Sequence, residues 1–337
     1  MGVYVVRRAG WAVLLVWLVT VFTFVLSHVI PGNPAAFLAG FGATRQEIRA
    51  LAIQMGLTKP LIVQYGDYMG SLFHLQLGTS AATGDAVTTD LAHYLPATVE
   101  LVVISFALYV AIAVPLGTWA AHSQGRLVDV LLRVATIVGS GVPVFWLGIL
   151  LQELFFARLG WLPDSGELPI GSAAPPHYTG MYLVDSAVAG QWGTFGQAVL
   201  HLVLPVATIV IAMLAVGLRS TRASVLQELG RPYVRTARSK GMGEARLLTG
   251  HVMRNALNPV ISLLSLQFGY LLGWVVLVET VFDWPGIGLY TYNSIQSLDY
   301  DPIMAVTLLT ATVFIVVNLL ADLAYPLLDP KIRDAGS

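Results

Sequence analysis

Long apolar runs separated by polar stretches set the pattern of this chain. The first, Ala9 to Ile30, follows Arg7 and Arg8 and is 22 residues long, enough to cross the roughly 30 Å hydrocarbon layer of a bilayer. A cleavable leader would have an apolar core of about 7–15 residues and a small-residue cleavage site, so this run is expected to stay as a first helix. A Gly/Pro-rich polar region follows to about Tyr94, with a short helix expected over Thr44 to Met55. It is too long for a turn and too polar to span, and a small external cap is expected there. The second span is expected from Pro96 to His122, bent near Pro115 and Gly117, with Gly125 and Arg126 as a tight connection.

The third run, Leu127 to Phe156, is interrupted at Gly139-Ser140-Gly141-Val142-Pro143, where proline removes a backbone donor and the glycines lower helix propensity. Broken backbone at membrane depth persists only where protein or a water-filled cavity satisfies it. Ser140, Pro143, Phe145 and Trp146 are therefore candidate pathway residues. A polar loop over 159–195 leads to a fourth span, Val199 to Arg219, expected to continue as helix to Glu228. The fifth covers Val260 to Phe282, Asp283-Trp284-Pro285-Gly286 turns the chain, and the sixth covers Pro302 to Tyr325. The expected fold is an all-α integral membrane protein of six transmembrane helices. It divides into a first helix (1–30), an extracytoplasmic segment (31–95) and a five-helix core (96–337).

Composition agrees with this pattern. Of 337 residues, 56% are hydrophobic and 11% charged, against about a quarter charged in an average soluble domain. A net charge of -1 makes no case for nucleic acid, and the absence of cysteine excludes disulfides and thiolate metal sites. Basic residues favour cytoplasmic loops. With both termini inside, the cytosolic side holds Arg7, Arg8, Arg126, Arg133, Arg219, Arg222, Lys331, Arg333 and six residues of one loop, whereas the outer side holds Arg45, Arg49, Lys59 and Arg158. That asymmetry orients the chain.

The loop in question runs from Arg231 to Val260, with 229–258 as its functional extent, and carries Arg231, Arg235, Arg238, Lys240, Arg246 and Arg254. A short helix is expected over Tyr233 to Lys240, a break at Gly241-Met242-Gly243, and a second helix over Glu244 to Leu257. In the second, Leu248, Val252, Ala256 and Pro259 recur at helical spacing and leave a basic face opposite. Gly241 would permit a sharp turn and Ala237 a close backbone approach. Two readings follow from charge alone: a docking surface for a soluble partner, or lysines and arginines that touch anionic lipid headgroups.

Catalytic chemistry finds little support. The seven histidines are scattered, no His-Glu-x-x-His occurs, and the three lysines are followed by Pro60, Gly241 and Ile332, so no phosphate-binding Gly-x-x-x-x-Gly-Lys-Ser/Thr exists. Ser140 before Gly141 resembles a rhomboid protease nucleophile, but the first glycine of that Gly-x-Ser-Gly pattern is absent, Val138 standing in its place. Any ATP-driven work must use another chain's nucleotide site.

Two runs, Arg235-Thr236-Ala237-Arg238-Ser239-Lys240-Gly241 and Arg254-Asn255-Ala256-Leu257-Asn258-Pro259-Val260, resemble the cytosolic coupling loop of the dipeptide/oligopeptide permease family of ABC importers. In the wider class this loop reads Glu-Ala-Ala-x-x-x-Gly; here Ala237 and Gly241 match, whereas Arg235 and Thr236 replace Glu and the first Ala. Further matches open the second span (Leu95 to Leu101), enter the third (Val142 to Gly148), close it (Leu159 to Pro163), follow the fifth (Val278 to Gly288) and end the chain (Asn318 to Tyr325, Leu328 to Arg333). The first helix followed by a large external segment resembles the B-type subunit.

The resemblance implies a type I importer permease paired with a homologous C-type permease. Beneath would lie two ATPase subunits using ATP and Mg2+, above an external substrate-binding protein. It also implies a bacterial cytoplasmic membrane location and no cofactor in this chain. Coupling would fall to Tyr233, Arg235, Thr236, Ala237, Arg238, Lys240, Gly241, Glu244, Arg254 and Asn255. Cargo would be di- or oligopeptides, with nickel chelates, glutathione or sugars as alternatives; an ATPase-independent channel or secondary transporter is the reading from a different class. Glu279 and Asp283, four residues apart, are expected on one helical face where they could meet a peptide's amino terminus. Arg133 is expected to snorkel, Asn318 and Asp322 to bond between helices, and Trp161, Trp284 and Tyr290 to join interfacial aromatic belts.

Overall fold

The computed structural model describes residues 2–29, 35, 40, 42–54, 56–139 and 141–328. Thirteen α-helices are labelled here in chain order. They are α1 (Gly2–Val29), α2 (Arg45–Gln54), α3 (Leu61–Phe73), α4 (Val87–His122), α5 (Leu127–Gly139), α6 (Val144–Gln152), α7 (Tyr182–Val188), α8 (Trp192–Leu229), α9 (Pro232–Ser239), α10 (Glu244–Leu247), α11 (Met253–Val281), α12 (Ile287–Gln296) and α13 (Tyr300–Leu328). Five of them contain a stretch long and apolar enough to cross a membrane: Val5–Leu26, Val87–His122, Trp192–Leu229, Pro259–Val281 and Tyr300–Leu323.

The expected third span is not among the five. The break divides it into α5 and α6, and α6 then widens into a π-helical turn over Glu153–Arg158. Pro143 is the N-cap of α6, where its missing N–H costs nothing. Ser140 lies outside the described residues, as does the side chain of Arg133.

The core forms where α4 packs along α8 and α11, around Leu101, Tyr109, Ile209, Met213, Leu271 and Phe282. Small residues let these backbones approach. A Cβ on Gly117 would lie 2.7 Å from Cβ of Thr221, and one on Gly217 would lie 2.5 Å from Oη of Tyr109. By contrast α1 stands to one side, with Trp11 57% and Phe22 60% exposed. It packs on α13, where Arg8 meets Asp322 at 2.7 Å. Asp322 thus bonds between helices, whereas Asn318 donates to the Phe314 carbonyl of its own helix.

Several boundaries differ from expectation. Helix α4 starts at Val87, well before Pro96, because the polar residues of its first turns have tertiary partners. Asp90 accepts hydrogen bonds from Tyr290 at 2.6 Å and Thr83 at 2.8 Å. Helix α8 likewise starts at Trp192 and keeps Pro205 inside it. After the Asp283–Gly286 turn an unexpected helix, α12, lies against the starts of α4 and α13, burying Ile287 and Tyr290 with Val87, Leu91, Ala305 and Val306. Trp284 and Tyr290 are therefore core residues, 1% and 4% exposed, and Trp284 Nε1 donates to the Ala97 carbonyl. Trp161 remains exposed.

Part of the polar region before α4 is folded onto this end. Thr44 and Glu47 form a reciprocal capping box at α2. Tyr65 and Tyr68 of α3 bond to Thr20 and Thr23 of α1. Ser80 Oγ donates to Asp299 at 2.7 Å.

Candidate functional site

At one end of the bundle, the basic end, α9 and α10 make a compact foot. Pro232 pre-sets the first turn of α9. Gly241 ends the reversal at φ +76, a left-handed conformation that suits glycine. Around it, Gly241 N donates to the Arg238 carbonyl and Met242 N to the Ala237 carbonyl. The buried face of the foot consists of Val234, Leu247, Val252 and Ala256, seated on Ala121 of α4 and Val225 of α8.

One prediction about this face needs correction. A π-helical turn over Leu248–Val252 joins α10 to α11, and its extra residue brings Leu247, five before Val252, into the buried row. Leu248 is half-buried and Pro259 exposed. The second surface helix also has no boundary with the span: α11 runs from Met253 through Pro259 to Val281. The foot thus runs without a break into the membrane-spanning part of α11.

The candidate coupling residues divide by environment. Tyr233 donates to Glu228 at 2.9 Å and accepts from Asn255 at 3.3 Å, tying α9 to α8 and α11. Arg238 grips Glu244 through two hydrogen bonds of 2.7 and 3.2 Å, and that guanidinium holds the Glu244 carboxyl below its ordinary value. Ala237 packs partly into the apolar face. Arg235, Thr236, Lys240 and Arg254 are exposed. The foot therefore offers a cationic outer surface while its inner surface is locked to three long helices.

The candidate pathway residues do not converge. Pro143 is exposed, and Phe145 and Trp146 are 44% and 47% exposed on the outside of this chain. Glu279 is fully buried near the far end of α11. Its carboxylate accepts from Thr98 Oγ1 at 2.6 Å, Gly288 N at 2.7 Å and Leu289 N at 3.1 Å. It caps α12, meeting the orphan donors of that helix's first turn. Asp283 does not share its face: it lies beyond the helix end at φ +47, exposed.

Sequence reasoning missed two buried carboxylates beside Glu279. Glu100 on α4 is 3% exposed and accepts from Leu183 N at 2.9 Å; Glu167, in the loop before α7, is 8% exposed. The signal for Glu100 was an acidic residue inside an apolar run. Glu167 lies in a polar loop and carries no such mark.

The bundle has a charged foot at one end, continuous helices above it and polar residues at its far end, the layout of a multi-pass membrane protein. The chain belongs to the binding-protein-dependent transport system inner membrane component family, which it matches over residues 113–334, with the N-terminal membrane component of such systems matched over residues 1–102. It is 39% identical over 333 residues to the probable D,D-dipeptide transport system permease protein DdpB of Escherichia coli K12, covering 98% of each chain. It is 38% identical to the di/tripeptide transport system permease protein DppB of Pseudomonas aeruginosa UCBPP-PA14, over 98% of each chain. To the dipeptide transport system permease protein DppB of Alkalihalophilus pseudofirmus it is 37% identical, over 98% of this chain and 99% of the relative. It is a multi-pass membrane permease working within a transport complex, and not an enzyme.

Proposed function

We propose that this chain is the B-type permease subunit of an ATP-driven importer of di- or oligopeptides in a bacterial cytoplasmic membrane. Relatives named for dipeptide transport, aligned end to end with this chain, carry that reading. The five continuous spans support a count of six crossings on this reading, which takes the broken α5–α6 passage as the sixth. The Arg8–Asp322 pair places the start of α1 beside the end of α13, and the basic-residue count puts both on the cytosolic side.

On this reading residues 1–30 form a peripheral helix, 31–95 an external segment and 96–337 the permease core. Two ATPase subunits, which supply the ATP and Mg2+ chemistry, dock on 229–258. A homologous C-type permease completes the translocation path, and an external binding protein delivers cargo at the far end. Closure of the ATPases moves the foot, and with it α11, α8 and α4, to alternate access.

The test is uptake by the reconstituted complex, offering labelled di-, tri- and pentapeptides beside a nickel chelate, glutathione and a disaccharide. Peptide uptake that requires both ATP and the binding protein is expected. ATP-dependent uptake of another cargo replaces the peptide, and uptake indifferent to ATP makes this chain a passive or ion-coupled carrier.

A further inference from the structure

At the far end, the loop before α7 and the turn after α11 line an open pocket of about 230 Å³, with Gly166, Glu167, Leu168, Tyr182, Asp283 and Pro285 among its walls. It is smaller than the roughly 300–1,000 Å³ of sites that engulf a whole small molecule. It can hold one end of a ligand.

The walls specify which end. Glu167 is 8% exposed, yet its Oε1 has no hydrogen-bond partner. Behind it Glu100 is 3% exposed, with Oε2 likewise unpartnered. Glu279, the third carboxylate, is occupied by Thr98, Gly288 and Leu289. No ion pair among the described residues reaches any of the three. A buried carboxylate is costly unless it is paired or protonated, so an unpaired one here holds a proton until a cation replaces it.

No lysine or arginine lines the pocket around Glu167. Tyr182 and Asp185 come from α7, and Asp185 is already held by the backbone N–H groups of Thr179 and Gly180. Asp283 stands at the rim. His201 of α8 lies under the loop, its Nδ1 within 2.9 Å of the Ser165 carbonyl and 3.1 Å of that of Gly166. A metal ion is disfavoured, because no cluster of three or more acidic or histidine ligands could hold one among the described residues.

We propose that the pocket walled by Glu167, Asp283 and Tyr182 binds the primary ammonium group of a peptide's amino terminus, with Glu167 as counter-ion. This deepens the peptide-import reading and rests on it for the source of the amine. Burial first, then the charges of Glu100 and Glu279, push Glu167 up to about 8. At neutral pH Glu167 therefore carries a proton, and an arriving ammonium displaces it to solvent. Affinity rises as pH climbs toward about 8 and falls above it, as the peptide amine, with its ordinary pKa near 8, loses its own proton.

The experiment is direct binding of labelled dialanine and N-acetyl-dialanine to the detergent-solubilised complex, prepared without the external binding protein, from pH 6 to 9. Wild type is expected to favour dialanine at least tenfold. Glu167→Gln abolishes that preference and the pH dependence below 8, and Asp283→Asn, at an exposed position outside the packing, reduces it about threefold. Equal binding of the two probes by wild type overturns the proposal, as does no binding of either, or an unchanged preference in both variants. ATP-driven peptide uptake by wild type is scored separately. Its presence without the amine preference removes this site and keeps the import reading, whereas the preference without uptake does the reverse.

Discussion

Arg222, near the end of α8, closes on Asp129 in the first turn of α5, with Nε to Oδ1 at 2.5 Å and Nη2 to Oδ2 at 2.9 Å. The Asp129 side chain is 1% exposed, and its Oδ2 also accepts from Gly125 N at 3.0 Å, closing the tight connection after α4. One carboxylate thus fixes three elements at the basic end. Breaking a buried pair by removing one partner costs about 3–5 kcal/mol, while an apolar replacement of both is often neutral. Asp129→Ala is expected to lower the unfolding temperature of the solubilised complex strongly, and Asp129→Leu with Arg222→Met to recover most of it. Thermal unfolding of wild type and the two variants in detergent checks this; equal loss in single and double variants would show that the charge pair itself is required.

The crossing of α4 and α8 depends on the absence of a side chain at Gly217. Alanine there would press a methyl group to 2.5 Å from Oη and 2.7 Å from Cε2 of Tyr109. Gly217→Ala is expected to cost about 1–3 kcal/mol through overpacking. Tyr109→Phe removes the nearest atom and should return part of that loss, a non-additivity readable from a double-mutant cycle on unfolding temperatures. Strictly additive effects would place the strain elsewhere.

Glu279 caps α12, so its loss should unfold the far end before it alters selectivity. Glu279→Ala leaves the buried N–H of Gly288 and the part-buried N–H of Leu289 without this acceptor, the buried one costing about 1–3 kcal/mol. Glu279→Gln keeps one acceptor oxygen and can present its NH2 to Thr98 Oγ1, so it is expected to be milder. Protease accessibility at 283–300 should follow that order. A protected Glu279→Ala variant with altered cargo selection would instead assign this carboxylate to the cargo path.

Two substitutions in the foot are expected to separate insertion from coupling. Gly241 sits at φ +76 with open space around it, so Gly241→Val meets backbone strain of about 1–3 kcal/mol rather than a clash. Ala237→Asp places a charge at the apolar edge of the same face. Both variants should enter the membrane normally, yet lose co-purifying ATPase or ATP-dependent uptake by at least tenfold. The Arg238–Glu244 pair is not the cause of any change between pH 6 and 8. The Glu244 carboxyl is held below 4.5, so its contribution is present above that value and fades only as pH falls through the lowered one. Normal uptake by both variants would end the coupling role of this segment.

The spans, the break at 139–143, the foot and the turn at Gly241 were legible because each has a local cause: an apolar run, a Gly/Pro cluster, a basic stretch, a residue tolerant of positive φ. The early starts of α4 and α8 were not, because a polar residue such as Asp90 reads as loop until Tyr290, 200 residues away, supplies its partner. Helix α12 was missed for the same reason, and the buried row of the foot slipped because a π-helical turn leaves no mark in a periodicity of 3.6.

By itself the sequence determined the all-helical membrane architecture, its charge asymmetry and the basic segment between the fourth and fifth spans, since hydropathy and charge act residue by residue against a fixed bilayer. Only the tertiary structure decided what the acidic residues do. It buried Glu279 as a cap, parted it from Asp283 at the helix end, and brought Glu100 and Glu167 together from distant parts of the chain. The interaction of buried charges depends on distance and desolvation, and both are set by packing.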